Sequence, residues 1–536
     1  MATSLASPVS SERLRQEEYR RERGFAATLA TALTVCAVLV HGYHPYAEDG
    51  GVYLPEIKRL LDPGLYPHGA EFVVRHLRYS LFAPAIAGWV RVSHLSVGMA
   101  LLLVYAATFW MTLFAAWLLA ARCYETRTAR SGAVALLAAW MTMPIAGTSL
   151  MLMDPYVTAR SLSTPCALLA LVGALEFLMP QFEMEGGQAR PGWWGFVLSC
   201  GALAGAGLMH PLMAAYALGS VLLLGTLLSP SRLVRVWGTV GLGMTGVAMA
   251  AGLLLSAPPE SDVYRRVMLT RDYWFLSQWH WYEWIGLIAP LVILSMVAMQ
   301  PRRDGNAAQL GLARMAVAAG LTAIVVAMLF ARTGMATHLV ARMQPLRIFQ
   351  LVYLVMTLML GAVLAERVLQ RRPLRWIVVF SLLTGVMVVT ERRTFSASKH
   401  MELPNALAID STASGNQFEQ AFAWISRNTP RDALFAIDAD YITRPGEDAQ
   451  SFRAIAERSV LADFSKDGGV VTNEPELAAD WFQEQTAQTR LSAEPDAERL
   501  AKLRPFGVTW VVLERDAATG FRCEYANEGV KVCRLP

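Results

Sequence analysis

The chain has 536 residues, 54% of them hydrophobic and only 17% charged, a balance too apolar for an ordinary soluble protein. Apolar runs of about 17–25 residues recur along it, the length an α-helix needs to cross a bilayer. The formal net charge is only +4, and no basic stretch interleaved with aromatic residues lies outside those runs, which excludes nucleic acid as a partner.

The expected fold class is an α-helical polytopic membrane protein with about 11 transmembrane helices and a small C-terminal α/β domain. Residues 1–23 are a polar tail carrying Arg13, Arg15, Arg20, Arg21 and Arg23, a basic flank that favours the cytoplasmic side. No small-residue cleavage signal accompanies the first apolar run, which therefore reads as a retained anchor. The membrane domain is placed at 24–390, with spans at 24–42, 95–121, 131–152, 160–179, 193–209, 211–229, 237–256, 284–300, 311–331, 346–365 and 376–390. Residues 80–92 are apolar but short and read as an interfacial helix. Four of the five inside loops are basic (122–130, 230–236, 301–310 and 366–375). The fifth, 180–192, carries Glu183 and Glu185 with Arg190; acidic residues weigh little in orientation.

Residues 391–536 then lie on the outer side, which for a bacterial inner membrane is the periplasm. Phe418, Phe422 and Ile425 share one face of an expected helix over Asn416–Asn428. Ala433–Ile437 and Val508–Leu513 read as buried strands. Cys523 and Cys533 flank a hairpin in this outer domain, whereas the other four cysteines fall in spans or an inside loop. An oxidising compartment favours a disulfide between the two.

The first outer loop, 43–79, opens with His44-Pro45-Tyr46-Ala47-Glu48-Asp49-Gly50-Gly51. Carboxylates at a membrane boundary are solvated, paired or functional, and the glycines permit close backbone approach. Other outer loops bring Asp154-Pro155 followed by Arg160, then His210, then Arg332, His338, Arg342, Gln344 and Arg347. The loop 257–283 carries Tyr264, Arg265, Arg266, Arg271 and Asp272 before an aromatic run, Trp279 to Trp284. A carboxylate can take the proton of an attacking hydroxyl. Arginine forks match phosphate oxygens and stabilise charge on a phosphate leaving group. Aromatic rings suit an isoprenoid chain or a sugar face. Each signal also has a plain structural reading. Glu48 and Asp49 suit a helix cap, Asp154-Pro155 a turn, the arginines interfacial anchors, the aromatic run a membrane belt, and His210 an interhelical hydrogen bond.

A basic inner N-terminus, one span, and then an acidic pair in a long first outer loop resembles the GT-C glycosyltransferases. These include protein O-mannosyltransferases, aminoarabinose transferases and oligosaccharyltransferase catalytic subunits, and the chain looks most like a bacterial branch. The resemblance implies transfer of a sugar from a polyprenyl-phosphate donor to a glycan, lipid or protein acceptor at the outer membrane face. It implies a first-loop acid as base or acceptor-orienting group, matched by Glu48 and Asp49, and a second acid matched by Asp154. It also implies a phosphate-binding arginine, matched by Arg332, Arg342 or Arg347; Arg160, His210 and His338 complete the candidate set. No Trp-Trp-Asp-type acceptor motif is present, which speaks against peptide-asparagine transfer. A divalent ion, Mg or Mn, would take Asp49 and Asp154 as oxygen ligands, although two acids alone do not require one. Two alternatives stand beside the enzyme: a transporter or flippase of lipid-linked glycans, and a non-catalytic membrane scaffold. A transporter calls for charges or broken helices at mid-membrane and for repeats, and a scaffold has no need of charges converging from several loops.

Overall fold

The computed structural model describes residues 8–179, 192–404, 415–443 and 451–536. The expected acidic inside loop with Glu183, Glu185 and Arg190 lies outside the described residues. The membrane part consists of α1 (Pro8–His41), α2 (Gly50–Leu61), α3 (Phe82–Ser93), α4 (Val97–Cys123), α5 (Arg127–Ala139), α6 (Ala159–Leu178), α7 (Trp193–Met209), α8 (Pro211–Leu228), α9 (Thr239–Ser256), α10 (Trp281–Ala298), α11 (Ala307–Phe330), α12 (Phe349–Leu364) and α13 (Pro373–Thr394), joined by loops and shorter helical turns. Among the described residues nine helical stretches are long and apolar enough to cross a membrane. The chain is a multi-pass helical membrane protein.

Two of the eleven expected spans are shorter. The first, α7, has 17 residues. The second, expected over 131–152, is helical only as α5, whose 13 residues reach about 20 Å at 1.5 Å per residue. Pro144 explains the early end, because it offers no N–H and disfavours helical backbone at Met143. Helix gives way to a small antiparallel hairpin, β1 (Pro144–Ile145) on β2 (Leu150–Met151). Its turn holds Gly147 at φ +66°, pressed on the Trp279 ring where a Cβ has no room. Ile145, Leu150, Leu152 and Met153 around it are buried. Non-helical backbone at membrane depth is tolerated where protein surrounds it.

Small residues let the central helices approach closely. A Cβ on Gly132 of α5 would come 2.5 Å from the Gly361 carbonyl oxygen of α12. One on Gly173 of α6 would meet the Gly195 carbonyl oxygen of α7 at 2.5 Å. By contrast α9 and α13 expose most of their apolar surface, only 6% of each span's most apolar stretch being buried. The C-terminal end of α13 is nevertheless anchored. His44 donates from Nε2 to Glu391 at 2.9 Å and from Nδ1 to Glu402 at 3.1 Å, and its ring stacks on Phe395. Burial works against a charged His44, but these two carboxylates outweigh it and raise its pKa. The backbone N–H of His44 donates to the Pro155 carbonyl at 2.8 Å, which ties the first outer loop to the segment entering α6.

The C-terminal part comprises α14 (Gln417–Asn428), β3 (Leu434–Ile437), β4 (Ser459–Val460), α15 (Lys466–Val471), α16 (Ala478–Gln488), β5 (Trp510–Glu514), β6 (Arg522–Ala526) and β7 (Val530–Arg534), again with shorter turns. The strands form one sheet in the order β4-β3-β5-β7-β6. The first three are parallel, and β7 and β6 add antiparallel pairs. Alternation along β3 sends Phe435 and Ile437 to one face with Phe418, Phe422 and Ile425 of α14. Leu434 and Ala436 go to the other face with Ala487 and Leu503. A strand covered on both sides is therefore apolar throughout. Cys523 and Cys533 are joined by a disulfide across β6 and β7. Ala462, Val471, Ala478 and Trp481 pack into the same core as the membrane helices, so this part sits firmly on them.

Candidate functional site

Asp49 stands at the N-cap position of α2, yet its side chain makes no capping hydrogen bond. It turns instead to Arg160, whose Nη1 donates to Asp49 Oδ2 at 3.0 Å. The other arm of the same guanidinium, Nη2, donates to Asp154 Oδ2 at 2.9 Å. Arg160 lies in the first turn of α6, where a positive charge meets the unfavourable end of the helix dipole; two carboxylates offset that. A capping box fixes the turn: Thr158 is the N-cap and its N–H donates to Ser161 Oγ at 3.1 Å. Arg160 is 4% exposed and Asp154 5%, whereas the Asp49 side chain is 38% exposed. Lys466, opening α15, pairs with Glu48 and lies 3.7 Å from Asp49 Oδ1. The C-terminal part thus places a cation on the first-loop acids.

These groups face a cavity of about 770 Å³ between the loops at this end of the helices and the C-terminal part. Five Lys and Arg side chains line it, Arg160, Arg271, Arg342, Arg347 and Lys466, against two carboxylates, Glu48 and Asp49. Three of those cations have no carboxylate partner among the described residues. Arg271 donates to the Phe464 carbonyl at 3.1 Å, and Arg342 to the Thr472 carbonyl at 3.2 Å. The Arg347 guanidinium makes no hydrogen bond or ion pair among the described residues, and its Nε is enclosed without a partner. An excess of fixed guanidinium charge in a walled cavity is a site for an anion.

The backbone supplies a further sign. Glu48 (φ 49°), Ser149 (φ 54°) and Gln344 (φ 48°) are all left-handed and all line this cavity. Such conformations cost about 1–3 kcal/mol each and gather at functional sites.

Electrostatics separate the two aspartates. Burial pushes Asp49 up, but Arg160, Lys466 and Arg347 together hold its carboxyl well below the usual carboxylate range. For Asp154 burial wins over Arg160, and the neighbouring Asp49 charge adds to it, so its pKa is raised. Lys466 is held above the ordinary lysine value: burial opposes its charge, but Glu48 and Asp49 outweigh that.

Several expected site residues prove to be elsewhere. Asp154 does not line the cavity but lies behind Arg160, so it acts through that guanidinium. His338 is buried away from the cavity, with Nδ1 donating to Glu260 at 2.5 Å, and braces one outer loop against another. Arg332 is exposed on its loop, outside the cavity lining. His210 does line the cavity, but its ring accepts from the Met213 N–H at 3.4 Å and caps α8. A divalent ion does not fit between Asp49 and Asp154, because the Arg160 guanidinium already occupies that position. Like charges 4 Å apart repel by about 4 kcal/mol per unit pair at an effective dielectric of about 20.

No protein-family model matches the chain, and no curated protein matches it in sequence. Among solved structures it is similar to the crystal structure of the Archaeoglobus fulgidus oligosaccharyltransferase tethered through a disulfide to an acceptor peptide containing the NVT sequon. The likeness has a TM-score of 0.51 at 12% identity and covers 92% of this chain and 69% of that one. The two share a fold. At that identity the likeness speaks for the fold alone, and the chemistry rests on the residues of this cavity.

Lys466 was not among the expected site residues, and Arg271 was noted only as part of its loop. The one signal for Lys466 is its place before Asp467-Gly468-Gly469, which form the first turn of α15 and leave room for a neighbour: Arg271 packs directly against Gly468.

Proposed function

We propose that the chain is a membrane glycosyltransferase that moves a sugar from a polyprenyl-phosphate donor to an envelope acceptor at the outer face. The observation that carries this reading is one cavity holding an acid pair braced by Arg160 beside three guanidinium groups without carboxylate partners. The donor phosphate binds Arg347, with Arg342 and Arg271 alongside. An acceptor hydroxyl attacks the sugar's anomeric carbon from the side of Asp49. The new carbon–oxygen bond forms as the bond to phosphate oxygen breaks, and that oxygen keeps the electron pair. The acceptor's proton passes to Asp49. As the donor phosphate draws Lys466 toward itself, Asp49 loses part of the charge that keeps it weakly basic, and its affinity for that proton rises. Apolar and aromatic walls, among them Tyr53, Trp274 and Leu212, suit the isoprenoid chain and the sugar face.

The test is sugar transfer from a polyprenyl phosphate in liposomes, alongside a direct donor-binding measurement. Asp49→Asn keeps shape and loses proton acceptance, so turnover should fall by about 10²–10⁴-fold while donor affinity holds. Normal turnover by both Asp49→Asn and Asp154→Asn would refute the enzyme reading. A dead Asp154→Asn beside an active Asp49→Asn would exchange their roles.

A further inference from the structure

Resting on that transfer reaction, we infer that it runs without a divalent metal ion, and that Arg160 and Lys466 together supply the charge neutralisation such an ion would give. Every carboxylate at the site that is placed to ligate a metal is already engaged by a side-chain cation. Arg160 holds Asp49 at 3.0 Å and Asp154 at 2.9 Å, and Lys466 holds Glu48 and approaches Asp49 at 3.7 Å. Mg²⁺ demands oxygen ligands at about 2.0–2.1 Å in octahedral array, so it would have to displace the guanidinium. Arg160 has no room to leave: it is 4% exposed, sits in the capped first turn of α6, and cannot shed its charge. Among the described residues no group of three His, Cys, Asp or Glu is placed to hold a metal ion.

The two cations divide the work. Arg160 is immobile and holds Asp49 and Asp154 in place, which makes it a positioning residue. Lys466 is borne by the C-terminal part, carries three donors on a flexible stem, and lines the cavity. It can pass from Glu48 to the departing phosphate oxygen as the carbon–oxygen bond breaks, donating hydrogen bonds and keeping its proton. The acceptor's proton still goes to Asp49, so no added ion or proton donor is needed for balance.

The experiment uses the full-length protein in detergent, stripped with EDTA, with Mn²⁺ titration followed by electron paramagnetic resonance and sugar transfer measured in parallel. The wild type should bind no Mn²⁺ saturably, and its turnover should be the same with EDTA or with added Mn²⁺ or Mg²⁺. Lys466→Met should lose about 10²-fold in turnover, the usual cost of one charge-stabilising donor, while its thermal midpoint holds and divalent ions fail to rescue it. Lys466→Arg should restore most of the loss. Saturable Mn²⁺ binding that Asp49→Asn removes, or turnover lost in EDTA and regained with Mn²⁺, would overturn the inference, as would normal turnover by Lys466→Met. A wild type that transfers no sugar under any condition refutes the transferase reading, and the Mn²⁺ titration still decides the metal question.

Discussion

Arg347 carries the least compensated charge in the cavity. Among the described residues it forms no ion pair with a carboxylate, and burial, with Arg160 nearby, leaves its charge poorly solvated. A charge held this way is costly to the empty protein and is relieved by an anion. Arg347→Ala should therefore weaken binding of a polyprenyl phosphate by about 1.5–3 kcal/mol while the thermal midpoint stays level or rises. Unchanged affinity would move the phosphate to Arg271 and Arg342. At this scale Asp49, Arg160 and Arg347 were legible in the sequence because charges at the ends of long apolar runs are conspicuous. Lys466 was not, because one lysine in a polar segment is unremarkable and its partner Glu48 lies 418 residues away. The same holds for His44, whose partners Glu391 and Glu402 are 347 and 358 residues distant. Local pattern carries no trace of such pairings.

Between elements, the crossing of α5 and α12 depends on two glycines facing each other. Gly132→Val should force their backbones apart and destabilise the protein by about 1–3 kcal/mol, read as a lower thermal midpoint in detergent. An unchanged midpoint would mean the helices have slack. The long membrane helices, the apolar face of α14 and strands β3 and β5 were legible from the apolar pattern, whereas two-residue β4 and the short helices α15 and α16 were not. The early end of α5 was not, because residues 140–153 are as apolar as a span and only Pro144 and Gly147 break them. A second prediction belongs to the loop after β4 and to α16, which meet where the Ala462 N–H donates to Glu484 at 2.7 Å. Burial, together with Asp467, pushes Asp463 up to about 7, and burial pushes Glu484 up to about 7. Between about pH 4 and 7 the folded protein keeps protons that the unfolded chain has released, so stability is greatest at the acid end and falls as pH rises through that window. Thermal unfolding of the full chain across this range should show that slope, and Asp463→Asn with Glu484→Gln should flatten it. A slope unaltered by the pair would assign it to other groups.

For the whole molecule, basic inside loops set the orientation expected from the sequence, with the N-terminus inside and the C-terminal part outside. Reporter fusions near residue 305 and after residue 400 should report opposite sides of the membrane. Both on one side would overturn this topology and every site reading built on it. The overall architecture was legible because bilayer thickness dictates helix length. How the C-terminal part docks was not legible, because that depends on contacts such as Tyr264 Oη donating to the Thr472 carbonyl at 2.6 Å, made between segments with no shared pattern.

The joining of Glu48 to Lys466 also orders events during synthesis. At about 5–20 residues per second, the ribosome needs roughly 20–80 s after the first outer loop to complete the partner lysine. Throughout that interval the acid pair stands in the membrane without its second cation and without the wall that closes the cavity. The cavity is therefore assembled in one step, when the C-terminal part folds into place and brings Lys466 to Glu48.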